Sequence, residues 1–176
     1  VSGDVTVTLG EGVAVTSGLY AGGNGTGSVA GTVTFILDGA DTTDWTKLSS
    51  GGASGYTGSI GALKLLLRSG ILSMLPSKVS SVDIDIPAGK TLTLSQCTLT
   101  ANTVRSAGTL AFSGASELTV NQVSGTVNCA IVGDAFPNHP YITAPAGSGF
   151  VFAEGGISED NGVWLKKDLE NFQGLV

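Results

Sequence analysis

The titratable inventory of this 176-residue sequence is small: fourteen acidic residues, eight basic ones and a single histidine. Asp83 and Asp85 are the pair best spaced for joint chemistry. Two apart in Val82-Asp83-Ile84-Asp85-Ile86, they share one face of an expected strand, about 7 Å from each other by the strand rise. Glycoside hydrolysis uses two carboxyls facing each other at roughly 5 to 10 Å. Lys78 and Lys90 are the only cations near them in sequence. The pair reads as solvent-facing strand carboxylates, with a weak calcium site shared with a neighbouring segment as the alternative. His139, between Asn138 and Pro140, would have to carry any Ser-His-Asp or Cys-His chemistry alone on a Pro-rich loop. No Gly-x-Ser-x-Gly motif occurs, and one histidine with two distant cysteines falls short of a zinc set. No catalytic residue, metal or cofactor is assigned.

Binding has better candidates than catalysis. Tyr20, Trp45, Tyr56, Tyr141 and Trp164 each offer an apolar ring face with a polar edge, suited to a sugar or a protein surface. Trp45 leads them. It lies in the longest non-repetitive insertion, Ala40 to Gly58, with Tyr56 as a second anchor, Asp41 and Asp44 as acceptors, and Gly51, Gly52 and Gly55 as joints. Loops that bulge from a rigid scaffold commonly carry binding. The competing reading packs Trp45 over the scaffold. Gly22-Gly23-Asn24-Gly25-Thr26-Gly27 is a turn and not a phosphate cradle, because no Lys-Ser/Thr pair follows and the next segment has strand character.

The elements that must position these groups are short strands. Apolar and polar residues alternate in Val5-Thr6-Val7-Thr8-Leu9, Val33 to Leu37, Val82 to Ile86, Leu92-Thr93-Leu94 and Leu118-Thr119-Val120. Period two with β-branched enrichment marks half-buried strands. Val33, Phe35, Ile84 and Leu94 are expected in the core. Glycine turn signals fall between the strands at Gly10-Glu11-Gly12, Asp38-Gly39, Ala88-Gly89-Lys90, Ser106-Ala107-Gly108 and Ser124-Gly125. The strand-into-glycine units echo one another at intervals of roughly 20 to 30 residues, a range typical of β-helix coils. Ile60, Leu63, Leu67, Ile71 and Met74 instead have helical spacing. Gly61, Gly70 and Pro76 oppose a helix there, so two buried strands joined at Ser69-Gly70 are expected. Thr-x-Thr triplets at Thr6/Thr8, Thr32/Thr34, Thr91/Thr93 and Thr98/Thr100 suggest the threonine arrays of ice-binding solenoids, but their uneven spacing argues against aligned ranks.

Composition bounds the partners. Charged residues make up 12% of the chain against roughly 25% in an average soluble domain, 27 residues are Gly, and the formal net charge is −6. No basic stripe exists to neutralise a phosphate backbone, which excludes nucleic acid. The longest apolar stretch, Leu63 to Leu75, is broken by Lys64, Arg68 and Gly70 and is too short to insert into a membrane. A hydroxyl-rich, charge-poor surface points to an exterior location. The opening Val1, already near a strand, suggests a piece of a longer precursor whose adjacent domains are partners. Cys97 and Cys129, about thirty residues apart, are either buried thiols or a bond between stacked coils.

Gly18-Leu19-Tyr20-Ala21-Gly22-Gly23-Asn24-Gly25 followed by Gly31 to Gly39, together with Ile84 to Leu94, resembles repeat regions of large bacterial adhesin-like surface proteins. The resemblance implies an all-β, right-handed parallel β-helix of several irregular coils. It also implies a non-enzymatic stalk or a module that binds glycan or protein of a host or neighbouring cell, displayed on the bacterial surface or secreted. The expected division is solenoid coils over residues 1–135 and a Pro-rich cap or final coils over 136–176. The alternative is a polysaccharide-acting β-helix lyase or glycosidase built on Asp83 and Asp85, although the Gly-His-Gly type motif of pectin-degrading β-helices is absent.

Overall fold

The computed structural model describes residues 1–13, 19–23, 25–41, 48–49, 55–73, 75, 79–133, 141–152, 156–159 and 162–165, with the backbone alone at 41, 48–49, 156–159 and 162–165. Among the described residues every regular element is a strand. In chain order these are β1 (Val5–Gly10), β2 (Leu19–Tyr20), β3 (Val29–Asp41), β4 (Leu48–Ser49), β5 (Ile60–Leu72), β6 (Ser81–Ile86), β7 (Thr91–Ser95) and β8 (Thr98–Ser106). They continue with β9 (Thr109–Ser113), β10 (Glu117–Ser124), β11 (Thr126–Val132), β12 (Ile142–Thr143), β13 (Gly149–Phe152), β14 (Gly156–Glu159) and β15 (Gly162–Leu165).

Strands pair in parallel with the equivalent strand of the next coil, which makes the fold a parallel β-solenoid. Val5 sits beside Val33 and Val33 beside Leu63; Lys64 sits beside Ser81, Asp83 beside Thr103, and Thr98 beside Glu117. Coils therefore differ in length while their walls stay in register. The wall formed by β1, β3, β5, β6, β8 and β10 stacks Leu9, Leu37, Leu67, Ile84, Val104 and Val123 in one inward column. The first five of these are buried. Each such side chain contributes about 1.5–3 kcal/mol on burial, so the column runs as one core through units that could not fold singly. Val33, Phe35, Ile84 and Leu94 are buried as expected.

Glycine lets the chain turn from this wall to the next. β5 bends at Gly70, whose φ of 105° lies outside the range L side chains favour. Before the bend β5 pairs with β6, and after it Gly70 to Leu72 pair with Leu92 to Leu94 of β7. Strand rather than helix thus holds for Ile60 to Leu72, but as one strand bent at Gly70 instead of two strands joined there. The next wall continues through β7, β9, β11 and β13. A third direction comes from a phase change in β8 and β10. Leu99 and Ala101 are buried, then Val104, leaving Asn102 and Thr103 both outward; Leu118, Val120 and Val123 repeat the pattern around Asn121 and Gln122.

Near the C-terminal end the parallel rule stops. β15 pairs antiparallel with β12 and with β14, covering one strand edge as a solenoid terminus requires. Residues 134–140, with Pro137, His139 and Pro140, lie outside the described residues. Phe112, Tyr141 and Phe152 fill the core at this end with ring centroids 5.8 to 5.9 Å apart, tilted pairs of the favoured kind.

Candidate binding face

Among the described residues, the wall of β3, β5, β6, β8 and β10 carries an organised polar surface. Alternation turns Asp83 and Asp85 outward while Val82, Ile84 and Ile86 are buried. Stacking then supplies what sequence neighbours do not. Arg105, beside Asp85 on the next coil, donates from Nε to Asp85 Oδ1 and from Nη2 to Oδ2, both at 2.9 Å. This fork-on-carboxylate geometry is the stronger class of ion-pair contact. It holds the Asp85 carboxyl below its ordinary range against the opposing effect of partial burial, and the charges of Arg105 and Arg68 act in the same direction. One coil toward the N-terminus, Asp38 accepts from Arg68 Nη1 at 3.2 Å and from Ser69 Oγ at 3.0 Å. Acid and base alternate along the solenoid as Asp38, Arg68, Asp85 and Arg105.

Asp83 is placed differently. Its Oδ1 accepts from Thr103 Oγ1 at 2.7 Å and from Asn102 Nδ2 at 3.4 Å. Both donors sit at the corner of β8, so the carboxylate ties two walls together. Between the column Leu66, Asp83, Thr103, Gln122 and the column Asp85, Arg105, Ser124 runs an open groove of about 400 Å³, its base the strand backbone at Ile84, Val104 and Val123, whose side chains point inward. It crosses the strands and so follows the solenoid axis.

The cation that engages Asp85 is therefore neither Lys78 nor Lys90 but Arg105, twenty residues away. It does not build a proton-transfer pair. A general acid in glycoside hydrolysis needs a carboxyl whose proton affinity is raised, and Asp85 has both oxygens occupied by a guanidinium and is shifted the other way. Among the described residues no three His, Cys, Asp or Glu side chains gather as a metal set.

The aromatic candidates separate. Tyr141 is not a surface contact: it is 1% exposed, because the core end needs an aromatic opposite Phe112 and Phe152. Tyr20 is 44% exposed. Tyr56 is half-buried, its ring laid against Gly22 and Gly58 where an added Cβ would strike it, and its hydroxyl donates to the Ser59 carbonyl at 3.1 Å. Trp45 and Asp44 lie outside the described residues, as does the side chain of Asp41, and the side chain of Trp164 does too. The described parts of the insertion stack on the preceding coil: β4 pairs in parallel with β2, Thr57 N–H donates to the Gly25 carbonyl and Val29 N–H to the Ser59 carbonyl.

Threonines do align. Thr6 stacks on Thr34, Thr91 on Thr109, and Thr100 on Thr119, which stacks on Thr143. Uneven sequence spacing misled because coil lengths vary at the corners while register is kept in the walls. These ranks occupy three different walls, and each neighbouring rank is interrupted, by Ile36, Ala111 or Glu117. Both cysteines are buried thiols with no disulfide between them. Cys97 Sγ donates to the Leu72 carbonyl at 3.4 Å, and burial pushes its thiol up to about 11.

Comparison of the chain with protein-family models, with curated proteins and with solved structures finds no match in any of the three.

Proposed function

We propose that this chain is a non-catalytic module of a larger adhesin-like protein, displayed outside a bacterial cell, that holds a binding face on a rigid stalk. The observation that carries this reading is the self-pairing of the wall. Asp38 with Arg68, Asp85 with Arg105, and Asp83 with Thr103 and Asn102 engage the outward charges with one another rather than aiming them at a reacting atom. Strand-borne side chains held by neighbours on adjacent coils form a stiff platform. The low-charge, hydroxyl-rich exterior and the resemblance of the coil sequences support the surface location. β1, paired only with β3 among the described residues, offers an edge on which an adjacent domain of the precursor would stack.

The test is display on the producing cell. Antibody against this chain stains intact cells, and brief external protease treatment releases the epitope; staining only after lysis would sink the proposal.

The groove lined by Asp83, Asp85 and Arg105 favours a second reading, an enzyme acting on polysaccharide. Its test is release of reducing ends, or of unsaturated product, from neutral and acidic polysaccharides. The occupied state of Asp85 leads us to expect none.

A further inference from the structure

We infer that the groove between the Asp83 and Asp85 columns binds an uncharged linear glycan, lying along the solenoid axis. This rests on the non-catalytic surface reading above and gives that module its ligand class. The groove keeps hydrogen-bonding capacity that the wall does not use. Among the described residues Asp83 Oδ2 accepts no hydrogen bond, Arg105 Nη1 donates none, and the exposed side chains of Gln122 and Ser124 have no partner. These groups belong to three successive coils, Asp83 and Asp85 on β6, Thr103 and Arg105 on β8, Gln122 and Ser124 on β10. They therefore recur at the strand spacing of about 4.8 Å, acceptors and donors along both sides of the groove. A chain of sugar rings presents the complementary pattern, with hydroxyls along both edges and a C–H face for the outward Leu66.

The charge balance selects a neutral glycan. Two carboxylates face one guanidinium in the groove, and that guanidinium is already neutralised by Asp85, so a uronate chain would meet net repulsion. An extended peptide is disfavoured because the wall's backbone groups are engaged in ladders on both sides through β6 and β8, leaving no free edge within the groove for strand addition.

The test is calorimetric titration of the folded chain with cellohexaose, mannohexaose, xylohexaose and laminarihexaose, and with hexagalacturonate as the anionic comparison. At least one neutral hexasaccharide is expected to bind. Asp83→Ala and Gln122→Ala should each weaken it about tenfold or more, the loss of one to two hydrogen bonds to a charged or amide group. The circular dichroism melt of Gln122→Ala should stay within a few degrees of the parent, as an exposed substitution does, so its loss of binding reads the groove and not the fold. Hexagalacturonate should not bind. Failure of every neutral probe, equal binding by the variants, or preference for hexagalacturonate would overturn the inference and leave the surface-module reading standing. Cleavage of a bound probe would overturn the non-catalytic reading and this inference with it.

Discussion

Gly70 and Gly89 are both corner glycines with positive φ, 105° and 74°, yet they should respond very differently to the same methyl group. An alanine at either position is placed in a left-handed conformation, at a cost of about 1–2 kcal/mol. Reduced freedom of the unfolded chain returns some of this, about 0.4–1 kcal/mol. At Gly89 nothing lies within 4 Å of the added Cβ, so the net loss should stay near 1 kcal/mol or below by the same reckoning. At Gly70 the Cβ is driven into the carbonyl of Ala40 and comes to 3.1 Å from the Gly39 carbonyl carbon. The atoms it meets are the backbone of the preceding coil and cannot swing aside. Forcing a methyl into a packed interior costs about 1–3 kcal/mol more, so Gly70→Ala should lose about 1–4 kcal/mol in all, always more than Gly89→Ala. Urea titrations of the two variants, followed by far-ultraviolet circular dichroism, compare the midpoints at fixed slope. Equal destabilisation, or a larger loss for Gly89→Ala, would refute the claim that coils approach to backbone contact at this corner.

Three further outcomes follow from the packing and charge pairing of the coils. Phe112→Ala removes the ring that touches both Tyr141 and Phe152 in the core near the C-terminal end and should cost about 3–5 kcal/mol in a urea titration. Asp85 has a folded proton affinity below its unfolded one, so its contribution is present above the unfolded value near 4 and is lost as pH falls through that value and then the depressed one. Because Asp85 and Arg105 are part-exposed, the neutral-pH loss in Asp85→Asn should be under about 1 kcal/mol, and the gap between parent and variant should close below pH 4 in acid-dependent melts. Cys97 and Cys129 should resist a thiol-exchange reagent at pH 8 in the folded chain and react fully in denaturant, because the thiolate is the nucleophile and burial holds Cys97 at about 11.

The walls were legible in the sequence because alternation is a local signal. Val33, Phe35, Ile84 and Leu94 could be placed inward without knowing what lies beside them. The corner at Ser69-Gly70 was legible too, once glycine was weighed above the helical spacing of Ile60, Leu63 and Leu67. What lies across coils was not. Arg105 reaches Asp85 only because β6 and β8 align at a twenty-residue offset, whereas the preceding offset, Lys64 to Ser81, is seventeen, so no fixed period finds the pair. The same variation hid the threonine ranks. Tyr141 was misjudged because its two ring partners, Phe112 and Phe152, come from other elements, while its own neighbourhood of prolines reads as surface.

The stacking register underlies every one of these statements, and one distance tests it directly. Thr100, Thr119 and Thr143 form an outward column on adjacent strands, so Thr100 and Thr143 should lie about 10 Å apart, two strand spacings. Nitroxide labels placed by Thr100→Cys and Thr143→Cys, with the native thiols protected by burial, should show strong dipolar broadening in the continuous-wave spectrum of the double variant and none in either single variant. A double variant whose spectrum equals the sum of the two singles would contradict the solenoid register, and with it the groove and the paired charge ladder built on that register.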